Sequence, residues 1–208
     1  MKIEILRLGQ LQTNCYIAHC GGEAIIIDPA DEAEFIAEKI QRLDLKPSAI
    51  LATHGHFDHI LAAGELQMIF NIPFYIHPAD EFLLKNMNSS ASFWLKSFGP
   101  SQGGQKINRP LPRIIKSVKN ESVINLGGCE LKVMETPGHT PGSVCFLADS
   151  IIFSGDTLFK SGIGRTDFAY SDKNALDKSL EKIFRLPPKT VVYPGHDEKT
   201  AIEIELRN

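Results

Sequence analysis

The stretch His54-Gly55-His56-Phe57-Asp58-His59 decides the reading of this chain. Four metal-ligating residue types fall within these six positions. They follow a short apolar run, Ala49 to Thr53, that reads as a buried strand, and they lead into a helical run from about His59 to Phe70. Alternate residues of an extended segment point the same way, so His54 and His56 can converge on one point. Gly55 lets the backbone turn tightly between them. Asp58 and His59 can address a second point nearby. A polar helix start explains the cluster poorly, because three imidazoles desolvated without partners would be costly.

Outward from this stretch, the chain repeats its own plan. Asn14 to His19 and Glu23 to Asp28 read as a hairpin around Gly21-Gly22. A helix follows over Asp31 to Leu45, with Ala33, Ile36, Ile40 and Leu43 on one face, and then comes the strand that delivers His54. In the second half, SVCFLADSIIFSGD echoes NCYIAHCGGEAIIIDP, Ala175 to Leu186 is helical, and TVVYPGH mirrors AILATHGH. Two halves of strand pair, helix, strand and histidine imply two sheets packed face to face with helices outside. No linker separates them, so residues 1–208 are expected to form a single α/β domain. The functional site belongs where the strand ends of both halves meet.

Three further ligand types stand at such ends. His139 sits in Thr136-Pro137-Gly138-His139-Thr140-Pro141-Gly142-Ser143, where Pro and Gly make a rigid irregular loop. Asp156 ends an apolar strand beside Gly155, and His196 ends another beside Gly195. Each alone has a bland explanation as a cap, turn or exposed residue. Together with the first cluster they form a constellation.

Composition bounds the alternatives. The 208 residues are 43% hydrophobic and 23% charged with net charge −3, which excludes disordered, collagenous and coiled-coil classes. No run of Lys and Arg could track a phosphate backbone, and no stretch of about 18 apolar residues could span a bilayer. The start, MKIEILRLG, lacks the features of a signal peptide. A cytoplasmic protein is expected, with Cys15, Cys20, Cys129 and Cys145 as free thiols. Residues 86–113, rich in Asn, Ser, Gly and Pro but carrying Phe93, Trp94 and Phe98, read as a structureless excursion or a substrate-covering flap.

The order HxHxDH, TPGHTPGS, GD and GH resembles the metallo-β-lactamase superfamily over nearly the whole chain. Gly155-to-Phe168, GDTLFKSGIGRTDF, resembles its small bacterial glyoxalase II-like (hydroxyacylglutathione hydrolase-like) branch. The resemblance implies a four-layer αβ/βα sandwich. It places His54, His56 and His139 at a first metal site, Asp58, His59 and His196 at a second, and Asp156 between them. Two divalent ions are thereby implied, zinc first, with iron or manganese also fitting the donors. Against Asp58, Asp156 and a bridging hydroxide, two dications leave a net positive centre that favours a polarised carbonyl.

Two metals about 3.5–4 Å apart can activate a shared water. The implied function is hydrolysis of a small-molecule thioester or ester such as hydroxyacylglutathione, with the bridging hydroxide as nucleophile and Asp58 orienting it. Arg165 matches the basic residue that holds glutathione in glyoxalase II enzymes, with a salt bridge to Asp167 as the structural alternative. Lys160 is a weaker candidate. A lactamase is disfavoured by an Asp at position 156. The rival is a mononuclear iron persulfide dioxygenase using His54, His139 and Asp156; lactones, other esters and phosphoesters are further possible substrates.

Overall fold

The computed structural model describes residues 1–98 and 106–207. Its strands and helices are β1 (Lys2–Leu8), β2 (Thr13–Cys20), β3 (Glu23–Ile27), α1 (Ala33–Arg42), β4 (Lys46–Leu51), α2 (Phe57–Ile60), α3 (Ala63–Phe70), β5 (Phe74–Ile76), α4 (Glu81–Lys85), α5 (Met87–Trp94), β6 (Ile114–Ser117), β7 (Val123–Leu126), β8 (Cys129–Glu135), β9 (Val144–Ala148), β10 (Ile151–Gly155), β11 (Leu158–Phe159), β12 (Gly162–Ile163), α6 (Lys173–Phe184), β13 (Val191–Pro194), β14 (Thr200–Ala201) and α7 (Ile202–Glu205).

Two six-stranded sheets carry the fold, in the orders β1-β2-β3-β4-β5-β6 and β14-β13-β10-β9-β8-β7. Side-chain alternation explains how they stack. Ile25 and Ile27 of β3 face the second sheet, where they meet Leu131, Val133, Phe146 and Phe153. Ile26, between them in sequence, faces the opposite way and packs with Ile36 and Ile40 of α1. On the far side, Ile152 and Val192 pack under Leu176, Leu180 and Ile183 of α6. Helix, sheet, sheet and helix form the four-layer sandwich.

The expected repeat is present. The antiparallel pair β2–β3, helix α1 and parallel strand β4 are matched by the antiparallel pair β9–β10, helix α6 and parallel strand β13. In each half the chain leaves the parallel strands at one edge. Asp28 follows β3, His54 follows β4, Asp156 follows β10 and His196 follows β13. Helix α6 starts at Asp172, whose carboxylate accepts the Ala175 N–H at 3.0 Å.

Three expectations need correction. The helical run after the cluster is broken into α2 and α3. Residues 87–94 are not structureless but form α5, with Met87 and Ala91 buried against the first sheet. Asn88 brackets the backbone of Arg109, and Ser92 accepts the Ile107 N–H at 3.0 Å, so 107–109 is laced to that helix. The part of the proposed flap at 99–105 lies outside the described residues. Cys15 and Cys145 are free and buried, but Cys20 and Cys129 form a disulfide. The hairpin turns at Gly21 and Gly127 pack backbone to backbone, so close that a Cβ on Gly127 would strike the carbonyl of Cys20. That approach brings together cysteines 109 positions apart, a relation that local pattern does not carry.

Candidate metal centre

The strand ends deliver all seven expected side chains to one edge of the sandwich. His54 Nε2 and His139 Nε2 each lie 3.0 Å from His56 Nδ1. Asp58 Oδ2 lies 3.3 Å from His196 Nε2 and 3.5 Å from His59 Nε2. Asp156 stands between these groups, with Oδ1 3.3 Å from His59 Nε2 and Oδ2 3.6 Å from His139 Nε2 and 3.8 Å from His196 Nε2. Each triad, His54-His56-His139 and Asp58-His59-His196, keeps its donor atoms within 4.8 Å of one another.

Outer hydrogen bonds fix which nitrogen each ring offers. His139 Nδ1 donates to the carbonyl of Arg165 at 2.9 Å and His196 Nδ1 to that of Leu11 at 3.2 Å. His59 Nδ1 donates to Asp28 Oδ2 at 2.9 Å. Thr53 Oγ1 donates to the same carboxylate and so accepts from His54 Nδ1. In all four rings Nε2 is the atom left facing the centre, the arrangement by which metal-binding imidazoles are oriented. His56 is held from the other side, its Nε2 2.7 Å from the Tyr170 hydroxyl.

The donors fit divalent ions on structural grounds. His59 Nε2 and Asp156 Oδ1 are buried and lie 3.3 Å apart, and neither has a hydrogen-bond partner among the described residues. Such groups are costly unless something satisfies them. A Cβ on Gly195 would fall 2.1 Å from Asp156 Oδ1 and 2.6 Å from the His59 ring, so this cradle exists only because position 195 is glycine. Gly55 is also required by a close approach: a Cβ there would strike Leu83 and Asp80.

Charge is divided between the triads. Burial and neighbouring imidazoles push His54 well below the ordinary histidine value, and burial with His139 lowers His56 to about 4. Burial also opposes charge on His59 and His196, but Asp156, Asp58 and Asp28 outweigh it at His59, and Asp58 and Asp156 at His196, so both are raised. The Asp58 and Asp156 carboxyls are held low by the same imidazoles against the effect of burial. A dication would serve the two carboxylates as those protonated rings do.

Several contributors were not picked out from sequence. Asp28 orders His54 and His59 together; its alignment with Asp156 in the two repeats was the available signal. Asp80, buried, accepts from Gly55 N, Thr140 Oγ1 and Gly142 N, tying the His54–His59 stretch to the His139 loop. Thr13 Oγ1 donates to Asp58 at 3.1 Å. Arg165 is in a two-pronged ion pair with Asp167, at 2.6 and 2.5 Å, and lies over the Phe168 ring. Lys160 is paired with Glu198. His77 faces Glu135, and neither His77 nor His19 joins a ligand cluster. A cavity of about 590 Å³ opens over the centre. A larger groove, about 860 Å³, lies between α1 and α3, away from every one of these imidazoles.

Residues 8–196 match the sequence profile of the metallo-beta-lactamase superfamily. The chain belongs to the metallo-beta-lactamase superfamily. Hydroxyacylglutathione hydrolase GloC of Haemophilus influenzae is 33% identical over 213 residues, covering 100% of this chain and 96% of that protein. The crystal structure of TTHA1623 in a di-iron-bound form superposes with TM-score 0.86 at 36% identity, covering 98% of this chain and 97% of that one. ETHE1 from Myxococcus xanthus gives TM-score 0.78 at 27% identity, covering 100% of this chain and 82% of that one. Metallo-beta-lactamase superfamily proteins are generally hydrolases that bind divalent metals, and the candidate His/Asp clusters of this chain suit that chemistry. No helix among the described residues is long and apolar enough to cross a membrane.

Proposed function

We propose that this chain is a binuclear metal-dependent hydrolase of thioesters. The observation that carries the reading is the convergence of five imidazoles and two carboxylates, with the inward Nε2 of His54, His59, His139 and His196 set by an outer hydrogen bond. His54, His56 and His139 would hold one ion, Asp58, His59 and His196 the other, and Asp156 would reach both. Zinc suits these donors, as do iron and manganese. Bound there, the ions supply Lewis acidity for the carbonyl and an activated water. Asp58, held by Thr13 and low in pKa, would accept a hydrogen bond from the attacking water and orient it toward the carbonyl carbon. A thiolate leaves without a strong general acid. The likeness to GloC supports a thioester; that to TTHA1623 supports two metals.

The second reading, a mononuclear iron persulfide dioxygenase on His54, His139 and Asp156, is compatible with the likeness to ETHE1. Metal analysis of protein purified without added metal, with S-lactoylglutathione hydrolysis and glutathione-persulfide-dependent oxygen uptake assayed in parallel, separates the two. Two metals per chain with hydrolysis is the expected result. One iron with oxygen consumption would overturn it, and turnover confined to oxygen esters, lactones or phosphoesters would overturn the thioester assignment.

A further inference from the structure

The walls of the cavity differ from its floor. The floor is the imidazole and carboxylate cluster. The walls are mainly apolar, with Leu11, Phe57, Leu83, Trp94, Ile163 and Phe168 beside Ser90, Arg165 and Tyr170. Phe168 stacks on Tyr170, with rings 9° from parallel and centroids 5.4 Å apart, and Phe82 meets the Tyr170 ring edge-on. Trp94 is 43% exposed and Ile163 46% exposed at the mouth. Large apolar side chains left wet beside a cavity mark a surface meant to be covered.

The charge at the mouth points the same way. Arg165 is the sole Lys or Arg among the described residues lining the cavity. Its guanidinium is engaged by both oxygens of Asp167, and a substrate carboxylate would have to displace that partner. Glutathione brings two carboxylates, for which the described residues lining this mouth offer no cation but the paired Arg165.

We infer that the cavity accepts thioesters with a bulky, apolar, uncharged arm in preference to glutathione conjugates, and that Trp94 and the Phe168–Tyr170 stack select that arm. The inference rests on the thioesterase reading above. The volume, about 590 Å³, holds a reacting thioester group together with a chain of several carbons. Apolar discrimination of this kind is worth about tenfold or more.

Trp94 is the chain's one tryptophan, so its fluorescence reports on the mouth independently of turnover. The metal-loaded full chain is titrated with S-hexyl-N-acetylcysteamine, which cannot be hydrolysed, and with S-methylglutathione. The hexyl compound is expected to quench Trp94 with a Kd about tenfold or more below that of the glutathione compound. In kinetics, kcat/KM for hexanoyl-N-acetylcysteamine should exceed that for S-lactoylglutathione by about tenfold, and Trp94→Ala should cut that ratio to under about threefold. Asp167→Asn, which frees Arg165, should shift the ratio toward the glutathione thioester. A wild-type preference for lactoylglutathione, or no response of Trp94 to the hexyl compound, overturns the inference. Quenching by the hexyl compound without turnover of either thioester upholds the apolar subsite and overturns the hydrolase reading instead.

Discussion

Asp28 Oδ2 accepts the His59 Nδ1–H at 2.9 Å from a position where both side chains are fully buried. The same carboxylate takes the Thr53 hydroxyl and the Thr53 N–H, and Thr53 Oγ1 in turn accepts from His54. One group outside the donor set thus orients a ring in each triad. Asp28→Asn removes the charge and mismatches one donor. It should weaken metal binding about 10- to 100-fold at both triads, measured by competition with a chromogenic chelator. Loss confined to one metal would refute the shared role.

Asp80 is the corresponding brace between loops. Burial pushes its carboxyl above the ordinary aspartate value, while the bonds from Thr140, Gly55 and Gly142 resist that shift. Asp80→Ala would leave the Gly55 and Gly142 N–H groups without an acceptor, while Thr140 Oγ1 keeps Ser143 Oγ at 2.7 Å. The expected cost is about 3 kcal/mol in urea unfolding, with Thr140→Val costing about 1 kcal/mol. Equal effects from the two variants would show that the backbone donors find other partners.

The division of charge between the triads predicts a pH signature. His59 is raised well above the ordinary histidine value and His196 above it, whereas His54 and His56 are lowered, so in chelator-stripped protein the Asp58-His59-His196 triad holds its protons to higher pH than the His54-His56-His139 triad. A raised histidine contributes stability that is complete below about pH 6.5 and is lost as pH climbs through its folded value. The stripped protein should therefore lose Tm from pH 6.5 upward, and the metal-loaded protein should lose much less. Metal uptake by the Asp58-His59-His196 triad should also release protons, read by calorimetry in buffers of different ionisation enthalpy. A stripped protein whose Tm rises over that range would contradict the assignment.

How much of this was legible in the sequence follows from the range of the interactions. His54, His56, Asp58 and His59 were legible because strand alternation and a strand-to-helix junction act over a few residues. His139, Asp156 and His196 were placed by the repeat and the family motif. Asp28 stood in the same repeat position as Asp156, yet a carboxylate before Pro29 also reads as a turn. Asp80 and Tyr170 carry no local signal, since their importance lies in contacts 60 and 114 positions away. Helix α5 was hidden by Asn and Ser, whose low helix propensity is offset here by burial of Met87 and Ala91.

The Cys20–Cys129 link gives the last prediction. β2 begins at Thr13, which touches Asp58, and ends at Cys20, so the disulfide lies at the other end of the strand from the metal centre. It fastens the first sheet to the second across a separation of 109 residues. Constraining an unfolded chain over a loop of that order stabilises by about 4–5 kcal/mol in the loop-entropy account. Reduction, or Cys20→Ser, should lower the urea midpoint accordingly and leave metal stoichiometry at its original value. In oxidised protein, thiol labelling should reach Cys15 and Cys145 only on unfolding, because both are buried. Four reactive thiols in unreduced, unfolded protein would remove the disulfide and return the chain to the all-thiol state expected from its sequence.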